Sequence, residues 1–471
     1  MTTNLPPPPP LFSQASPKVT DFVRRRLLPD YTKSTQNLYL HLYESMDSAF
    51  KHDCDGAVPI SAAYRRKHFR TSVDKKETDR LTHQGLLKMS SYDIANKKSR
   101  RYWLPAEVLL KLTKLSHQDL KHDLISLPEK QAPQGKIVKV KSTATITNSE
   151  LVKQAIHSIN GGVMNHSAAL QRIGDNLEGI DFLPDQKKVI SKCIHDIHNL
   201  IKASNSGVII NGILEYDQTY KPRSTGRIFE VGGFQSLSRD VKKAAMKDIK
   251  SVYNYDIRSS QIAALCQEAE KVGIETGILE NYLNNQDAKR DYAIESGFVD
   301  KSGNPDSTVW KKCLMSLVFG SSMAEYYGAP YDFIRDFDRK NVGKLFLRFQ
   351  EVANPFLSLI NEWYNKLDDY LTIYSYKHRH GTFFTNAAKV RINLEKDVIA
   401  GDKKKLSAFI LQGLESGFIH HLTILAENYD YRVISNEHDG VVTIGTIPSE
   451  AIQIAKQRSG FKLASLELKE F

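Results

Sequence analysis

The chain has few of the features that mark membrane, secreted or zinc-cluster proteins. Its 471 residues include four cysteines, which lie far apart and offer neither a disulfide framework nor a CxxC zinc pair: Cys54, Cys193, Cys266 and Cys313. No apolar run approaches the ~18–20 residues that a membrane span needs, and the first residues lack the basic start and apolar core of a secretory signal. We therefore expect an intracellular, cytoplasmic protein with reduced cysteines and no membrane partner.

Charge, by contrast, is abundant and unevenly placed. The chain has 65 Lys and Arg against 54 Asp and Glu, a net charge of +11. Residues 61–102 hold twelve of the basic residues and only four acidic ones, so this short segment carries most of the excess. A concentrated positive charge of this kind is typical of nucleic-acid binding.

Composition divides the chain into five parts. Residues 1–20 include a run of five prolines and predict a disordered head. Residues 21–127 predict a small domain, and residues 128–148 have few large apolar groups and predict a linker. Residues 149–205 have a helical pattern, and residues 206–471 alternate β-rich and helical stretches.

The small domain has the pattern of a winged helix-turn-helix, with three helices followed by two short strands around a basic turn. Its basic residues would contact DNA phosphates, which gives affinity without sequence information. The predicted recognition helix carries Lys75, Lys76 and Arg80, and the predicted wing carries Lys97, Lys98, Arg100 and Arg101. The alternative is a winged helix that only docks a protein, and the clustered charge favours DNA.

Two acids near the ends of strand-like runs form the candidate catalytic pair. In residues 252–265, Val252, Tyr253 and Tyr255 favour a strand that Asp256 ends, and a helical pattern begins near Ser259. Two β-branched runs in 431–445 flank a turn with the hairpin signal Asp439-Gly440. If the strands are neighbours, the two carboxylates would bind a pair of Mg²⁺ ions, with Mn²⁺ as the alternative, for phosphoryl transfer. An isolated Asp-Gly usually marks only a turn, so the prediction depends on the surrounding motifs.

Those motifs resemble, in their order, the motifs of family A DNA polymerases and of the related phage-type single-subunit RNA polymerases. The resemblance covers roughly residues 215–445 and consists of five elements. They are Thr225-Gly226-Arg227 with Gly233-Phe234-Gln235-Ser236-Leu237, similar to segments that track the primer and template; Asp256 with Ser260-Gln261-Ile262, similar to motif A; Lys311 with seven residues before Phe319-Gly320, similar to motif B; Leu411-Gln412-Gly413, similar to a helix with a template-contacting glutamine; and His438-Asp439, similar to motif C. It implies an α+β right-hand polymerase, with palm and fingers in 206–471 and a thumb-like segment in 149–205. It also implies template and primer DNA and dNTP or NTP as partners.

The same resemblance implies roles for single residues. The metal ligands would be the carboxylates of Asp256 and Asp439 and the carbonyl of Ile257. Lys311 would neutralise triphosphate charge while Phe319 stacks near the incoming base, and Lys312 is the competing lysine because six residues separate it from Phe319. Nucleic-acid contacts would come from Arg227, Gln412 and His438.

Two motifs depart from the family at charged positions. Ser307 stands where motif B has an arginine, and the candidate substitutes are Lys289, Arg290 and Arg335. Gly440 stands where motif C has a second acid, which leaves Glu437 as a possible helper. Catalysis would then depend on Asp256 and Asp439.

Motif A also lacks the acidic residue that blocks a ribose 2′-OH in DNA polymerases of this family. Depending on the alignment, Gln261 or Ala263 takes that position. An alanine would leave room for the 2′-OH and a glutamine could hydrogen-bond it, so ribonucleotide use is a live hypothesis. Residues 1–205 contain no carboxylate set of a proofreading exonuclease.

The sequence therefore predicts a template-directed nucleotidyltransferase that serves replication of a phage, a plasmid or a mobile element, with primase-like activity left open. The first alternative is a non-catalytic winged-helix replication initiator or transcriptional regulator with a relic palm. The second is a nuclease that uses the same two acids. The primer requirement, the preferred sugar, the DNA site and the oligomeric state stay open.

Overall fold

The structure is a computed structural model that describes residues 16–52, 58–60, 75–90, 100–126, 141–142, 149–159, 161–180, 187–300 and 302–471. Most of the predicted head, most of the predicted linker, and the wing lysines Lys97 and Lys98 lie outside these ranges. For Lys75 and Arg100 the secondary structure is described and the side chain is not.

Helices and strands alternate through the described residues, which makes the chain an α+β protein. The helices are α1 Pro17–Asp21, α2 Lys33–His52, α3 Lys75–His83, α4 Ala106–Ser126, α5 Glu150–Ser158, α6 His166–Glu178, α7 Lys187–Ser206, α8 Arg239–Ala245, α9 Ser260–Glu270, α10 Gly277–Asn284, α11 Ala288–Glu295, α12 Ser307–Val318, α13 Ala329–Phe337, α14 Val342–Tyr374, α15 Lys403–Leu425 and α16 Ser449–Ser459. The strands are β1 Val58–Ile60, β2 Lys88–Met89, β3 Arg100–Trp103, β4 Lys141–Ser142, β5 Gly162–Met164, β6 Gly207–Ile210, β7 Ile213–Tyr216, β8 Thr219–Pro222, β9 Ile228–Glu230, β10 Val252–Ile257, β11 Tyr376–His378, β12 Gly381–Thr385, β13 Arg391–Asn393, β14 Arg432–Asn436, β15 Gly440–Ile444 and β16 Leu466–Lys469.

A four-stranded antiparallel sheet positions the candidate acids. Its strand order is β14-β15-β10-β16, so β10 lies between β15 and β16. In this register Asp256 of β10 is opposite Gly440 of β15 and opposite Glu467 of β16. A bulge in β14 between Val433 and Ser435 interrupts the regular pairing next to the β14–β15 turn.

The two faces of this sheet pack into different hydrophobic cores. Val433 and Val441 belong to a core with helices α9, α12, α14 and α15. Ile434 and Val442 belong to a second core, which contains α8 and the N-terminal part of the chain. Because successive strand residues point to opposite faces, this alternation follows from the β-branched sequence of the hairpin.

Helix α15 is the buried helix behind the sheet. Its residues Leu406, Phe409, Leu411 and Phe418 are all buried, and a helix that is apolar on every side is buried in a large core. The side chain of Asp402 accepts hydrogen bonds from the amides of its first turn and caps it. This helix contacts α5, α9 and α16.

Helices α12, α13 and α14 pack into the same core as α9 and α15, and α12 carries the motif B segment. Helix α12 begins after Asp306, whose side chain accepts hydrogen bonds from the amides of Thr308 at 2.9 Å and Val309 at 3.3 Å. Trp310 on α12 is fully buried and stacks on Tyr292, with the ring centroids 5.0 Å apart. This packing holds the first turns of α12 in one orientation.

Two features of the structure concern the predicted thumb-like segment 149–205. The N-terminal helices α2 and α4 share one hydrophobic core with α6, α7 and α8, whereas α5 packs into the core of α15. The predicted segment 149–205 is therefore split between two cores, and it also contains strand β5. Amphipathic patterns identify apolar faces and do not identify which faces meet, so the sequence could not place this division.

The ends of the predicted head and of the predicted linker are also ordered. Residues 17–21 form helix α1, where Ser16 Oγ accepts a hydrogen bond from the amide of Val19 at 3.2 Å and Val19 is fully buried. In the linker, β4 pairs in parallel with β8, with Lys141 opposite Thr219. Both segments are held by partners far along the chain, which local composition does not show.

Within the predicted winged-helix region, β1, β3 and β2 form a three-stranded antiparallel sheet beside α2 and α3. Val58 is opposite Tyr102, and Lys88 is opposite Trp103. Residues 61–74 and 91–99 lie outside the described ranges, so the winged helix stays a prediction. Within the described residues no helix is long and apolar enough to cross a membrane.

Candidate active site

The structure brings the two predicted acids to neighbouring positions on adjacent strands. The amide of Ile257 donates a hydrogen bond to the carbonyl of Asp439 at 2.7 Å, and Asp256 is opposite Gly440. The two side chains are close enough for the charge of Asp439 to raise the pKa of Asp256. A hairpin and a strand that lie far apart in the sequence thus form one carboxylate pair, Asp256 and Asp439.

The hairpin turn differs from the Asp-Gly turn that the sequence predicts. The left-handed backbone conformation falls on His438, with φ of 73°, and Gly440 is already the first residue of β15. A Cβ on Gly440 would lie 2.2 Å from the carbonyl oxygen of Tyr255. Glycine is therefore needed there for the close approach of β10 and β15 rather than for the turn.

The environment of Asp256 is partly buried and strongly charged. Burial, together with the charge of Asp439, raises the pKa of Asp256 to about 6, whereas Lys469 and Lys311 oppose the shift. The ammonium of Lys469 contacts Oδ2 of Asp256. The other oxygen, Oδ1, is buried and has no hydrogen-bond partner among the described residues.

The carboxylate pair fits a divalent cation. A buried carboxylate oxygen without a donor is costly unless a cation or a proton satisfies it, and Mg²⁺ and Mn²⁺ prefer carboxylate ligands. The described residues give Asp439 no side-chain hydrogen bond that would compete with a metal. No group of three or more His, Cys, Asp or Glu side chains in the described part of the chain is arranged to hold a metal ion. The candidate ligands are therefore the two carboxylates, and the carbonyl of Ile257 stays a predicted third.

A third acid, Glu415, lies next to the pair and is not among the residues that the sequence suggests. It is fully buried on α15, and it is held by Arg227 and by Ser260, whose hydroxyl donates to Oε1 at 2.7 Å. Burial raises its pKa, and the adjacent guanidinium of Arg227 opposes this shift while the charge of Asp439 adds to it.

Arg227, which is predicted to contact nucleic acid, has a partner within the protein. Its Nε donates to Oε2 of Glu415 at 3.0 Å, and its terminal nitrogen contacts the same oxygen. The arginine side chain is 20% exposed, so most of it is enclosed by protein. The signal for this pair was a lone acid in the apolar helix α15, since buried acids are almost always paired.

His438, the other residue of the predicted motif C pair, packs against protein. Its ring lies 3.9 Å from the ring of Phe229, and its Nδ1 is 3.5 Å from the amide nitrogen of Gln235. Burial, with the nearby charge of Arg227, lowers the pKa of His438 to about 4, so the ring is neutral at physiological pH.

The glutamine of the predicted primer-tracking segment supports the hairpin. Gln235 accepts from the amide of Glu230 and donates to the carbonyl of Asn436, the last residue of β14. The backbone amide of Gln235 donates to the buried carboxylate of Glu230 at 2.7 Å. Gln235 therefore fixes the end of β14, two residues before His438.

The carboxylate of Glu437, which the sequence suggests as a catalytic helper, also has partners within the protein. It forms an ion pair with Lys242 of α8 and accepts from Ser435 Oγ at 2.8 Å. Burial raises its pKa, and Lys242 opposes this shift. The contacts assign Glu437 to fixing the hairpin against α8.

The two competing lysines of α12 point in different directions. Lys311 is exposed and lies close enough to Asp256 to lower the pKa of that carboxyl. The ammonium of Lys312 lies 6.0 Å from the ring centroid of Phe333 on α13. Phe319 is half-buried and follows the last residue of α12, with its amide donating to the carbonyl of Met315 at 3.1 Å. Of the two lysines, Lys311 faces the carboxylate pair.

The candidate substitutes for the missing motif B arginine also differ in their surroundings. Lys289 lies near Lys311, since the charge of Lys311 contributes to lowering the pKa of Lys289 after the larger effect of burial. Arg335 forms an ion pair with Asp332 at 2.7 Å. Of these two residues, Lys289 is the one that lies near Lys311.

The two candidate sugar-gate residues occupy different environments. Gln261 is 6% exposed in the first turn of α9, and both its amide nitrogen and its amide oxygen lack partners among the described residues. Ala263 is fully buried in the apolar core of α9 and α15. An unsatisfied buried amide is costly, so Gln261 is the position that could gain a hydrogen bond from a ligand.

The remaining predicted nucleic-acid contacts lie on α15 and in the N-terminal region. Gln412 is half-buried on α15, three residues before Glu415. In the N-terminal region Lys76 and Arg101 are exposed at the surface. The guanidinium of Arg80 lies over the ring of Tyr31 at 4.2 Å, so part of its surface is covered by protein.

Comparisons with known proteins give a coarse likeness only. No protein-family model matches the chain, and no curated protein matches it in sequence. Among solved structures, the chain is similar to the POL domain of Pol1 from M. smegmatis in complex with DNA primer-template and dNTP. The two share 11% sequence identity, the match covers 97% of this chain and 79% of that chain, and the TM-score is 0.40. A likeness at this level does not define a family, so the class of protein has to be inferred from the site.

Proposed function

We propose that the chain is a template-directed nucleotidyltransferase with its catalytic centre at Asp256 and Asp439. The observation that supports the proposal is the pairing of β10 with β15, with the two carboxylates close enough for the charge of Asp439 to act on Asp256 and with a buried, unsatisfied oxygen on Asp256. Lys311 on α12 supports it, because an exposed lysine beside two carboxylates suits a ligand that carries phosphate.

The reaction proposed is attack of a strand 3′-OH on the α-phosphate of a nucleoside triphosphate. The new bond joins the 3′-oxygen to the α-phosphorus, the bond from that phosphorus to the β-phosphate oxygen breaks, and pyrophosphate leaves. A divalent cation held by the carboxylate pair would reduce the cost of negative charge on the attacking and leaving oxygens. Lys311 would bind the triphosphate, with Lys289 adding positive charge beside it.

The proposal includes a DNA template strand. It also includes a winged helix that delivers the enzyme to duplex DNA. The concentrated positive charge of residues 61–102 supports DNA as the partner. Ribonucleotide use is supported by Gln261, a neutral residue with an unsatisfied amide where the family has an acid. Synthesis on an unprimed template would reveal primase-like initiation.

The test is primer extension on primed and unprimed templates with Mg²⁺ and either dNTPs or NTPs. We expect Asp256→Asn and Asp439→Asn each to lower synthesis about a hundredfold or more, because each removes a ligand charge worth several kcal/mol in the transition state. Asp430→Asn is the matched control, since Asp430 is exposed just before β14 and should leave synthesis unchanged.

Equal, background-level synthesis by the wild type and by Asp439→Asn would contradict the proposal. That result would leave the initiator or regulator with a relic palm as the better description. Degradation of labelled DNA with Mg²⁺ and no nucleotides, lost in Asp439→Asn, would instead identify a nuclease.

A further inference from the structure

The ammonium of Lys469 contacts one of the two candidate metal-binding carboxylates. Lys469 lies on β16 opposite Asn254, and because residues directly opposite in antiparallel strands point to the same face, its side chain shares the face of Asp256. Its ammonium contacts Oδ2 of Asp256 and lies 3.5 Å from Oε1 of Glu467. One oxygen of Asp256 thus has a cation already, and the other has none.

The positive charge around this position is larger than the ion pair alone. Arg258, Lys311 and Lys469 all lie close enough to Lys289 to contribute to lowering its pKa, after the larger effect of burial. Lys311 and Lys469 also act on Asp256, and Lys469 contacts both Asp256 and Glu467. A second divalent ion added to this set would therefore meet repulsion from several fixed cations.

We propose that Lys469 supplies the positive charge at one of the two cation positions of the centre, so that the carboxylate pair binds a single divalent ion. This inference rests on the proposed function and replaces the pair of ions that the sequence suggests. Lys469 would be a positioning residue, because it acts through Asp256, the carboxylate that it contacts.

The test is Mn²⁺ binding to the full-length chain without nucleic acid, followed by the electron paramagnetic resonance signal of free Mn²⁺. We expect the wild type to bind one ion at the centre and Lys469→Met to bind two, with the first bound at least about tenfold more tightly because a neighbouring positive charge is gone. Lys469→Arg keeps the charge and should bind one ion. Lys462→Met is the matched control, since Lys462 is exposed and its side chain has no ion pair among the described residues.

The outcomes separate this inference from the proposed function. Asp256→Asn identifies which ions belong to the centre, since it should abolish their binding. Two ions at the centre of the wild type, or one ion in both the wild type and Lys469→Met, would overturn the role of Lys469 and leave nucleotidyl transfer standing. No ion bound by either protein would overturn the metal centre itself, and with it both proposals.

Discussion

Breaking the pair of Arg227 and Glu415 should show whether the arginine supports the site or binds nucleic acid. Arg227→Met keeps the apolar stem of the side chain and removes both hydrogen bonds to Glu415. The carboxylate that remains is 1% exposed and keeps only the hydrogen bond from Ser260. The substitution therefore leaves a buried negative charge with one donor.

The expected cost follows from that burial. Removing one partner of a buried ion pair costs about 3–5 kcal/mol, whereas Glu415→Gln removes the buried charge and leaves an arginine that is 20% exposed, at a cost of about 1–2 kcal/mol. The double variant should lose less than the sum of the two, with a coupling of about 2 kcal/mol. Burial raises the pKa of Glu415, and Arg227 opposes this shift, so the loss in Arg227→Met should grow as the pH rises above the ordinary range of a glutamate.

The assay is urea unfolding followed by tryptophan fluorescence, since Trp310 and Trp363 are fully buried. Affinity for a primer–template duplex is measured on the same proteins. An unchanged unfolding midpoint in Arg227→Met, together with weaker duplex binding, would refute the internal role. It would restore the nucleic-acid contact that the sequence predicts.

Two further predictions concern a buried histidine and the motif B lysines. His420 is fully buried, its Nε2 donates a hydrogen bond to the carbonyl of Gly226 at 2.8 Å, and burial lowers its pKa to about 4. An unfolded histidine has a pKa near 6.5, so neutral His420 stabilises the folded protein fully above that pH, and this stabilisation is lost as the pH falls towards 4. Relative to His420→Gln, the free energy of unfolding of the wild type should therefore fall by about 2 kcal/mol between about pH 7 and pH 5. Parallel pH dependence of the two proteins in urea unfolding would contradict this. Lys311→Met should raise the KM for the nucleotide about tenfold or more, and Lys312→Met, which loses only a contact with Phe333, should leave it within about twofold; equal effects of the two would refute the assignment of Lys311.

The sequence predicts the local elements around the site well, because they depend on local patterns. The strand ends at Ile257 and α9 begins at Ser260, and the β-branched runs before and after residues 437–439 form the hairpin. The partition of α5, α6 and α7 between two cores could not be predicted, because it depends on which apolar faces meet across long sequence distances. The helix at residues 17–21 was likewise hidden by the proline-rich composition before it.

For the site, sequence reasoning finds the residues that carry a motif and misses those that support them. Asp256, Asp439 and Lys311 come from recurring spacings, and the structure brings them together. Lys469 comes from β16, a strand with no motif, so nothing in the sequence connects it with Asp256. The lone acid Glu415 in an apolar helix was a readable signal of a buried pair.

The same limit applies to residues that are polar and expected to be exposed. Gln235 and Glu437 have partners inside the protein that fix the hairpin, and the sequence offers no way to distinguish them from residues that face a ligand. The sequence also does not show why residue 440 must be glycine, since that need arises from the backbone carbonyl of Tyr255 on another strand.

The most direct test of the central claim, that Asp256 and Asp439 form a templated nucleotidyl-transfer centre, is the identity of the first nucleotide added. Four primed templates that differ only in the templating base are each offered all four nucleotides with Mg²⁺. We predict that the wild type adds the complementary nucleotide on each template and that Asp439→Asn adds none above background. Addition that ignores the templating base, or that persists unchanged in Asp439→Asn, would contradict the claim.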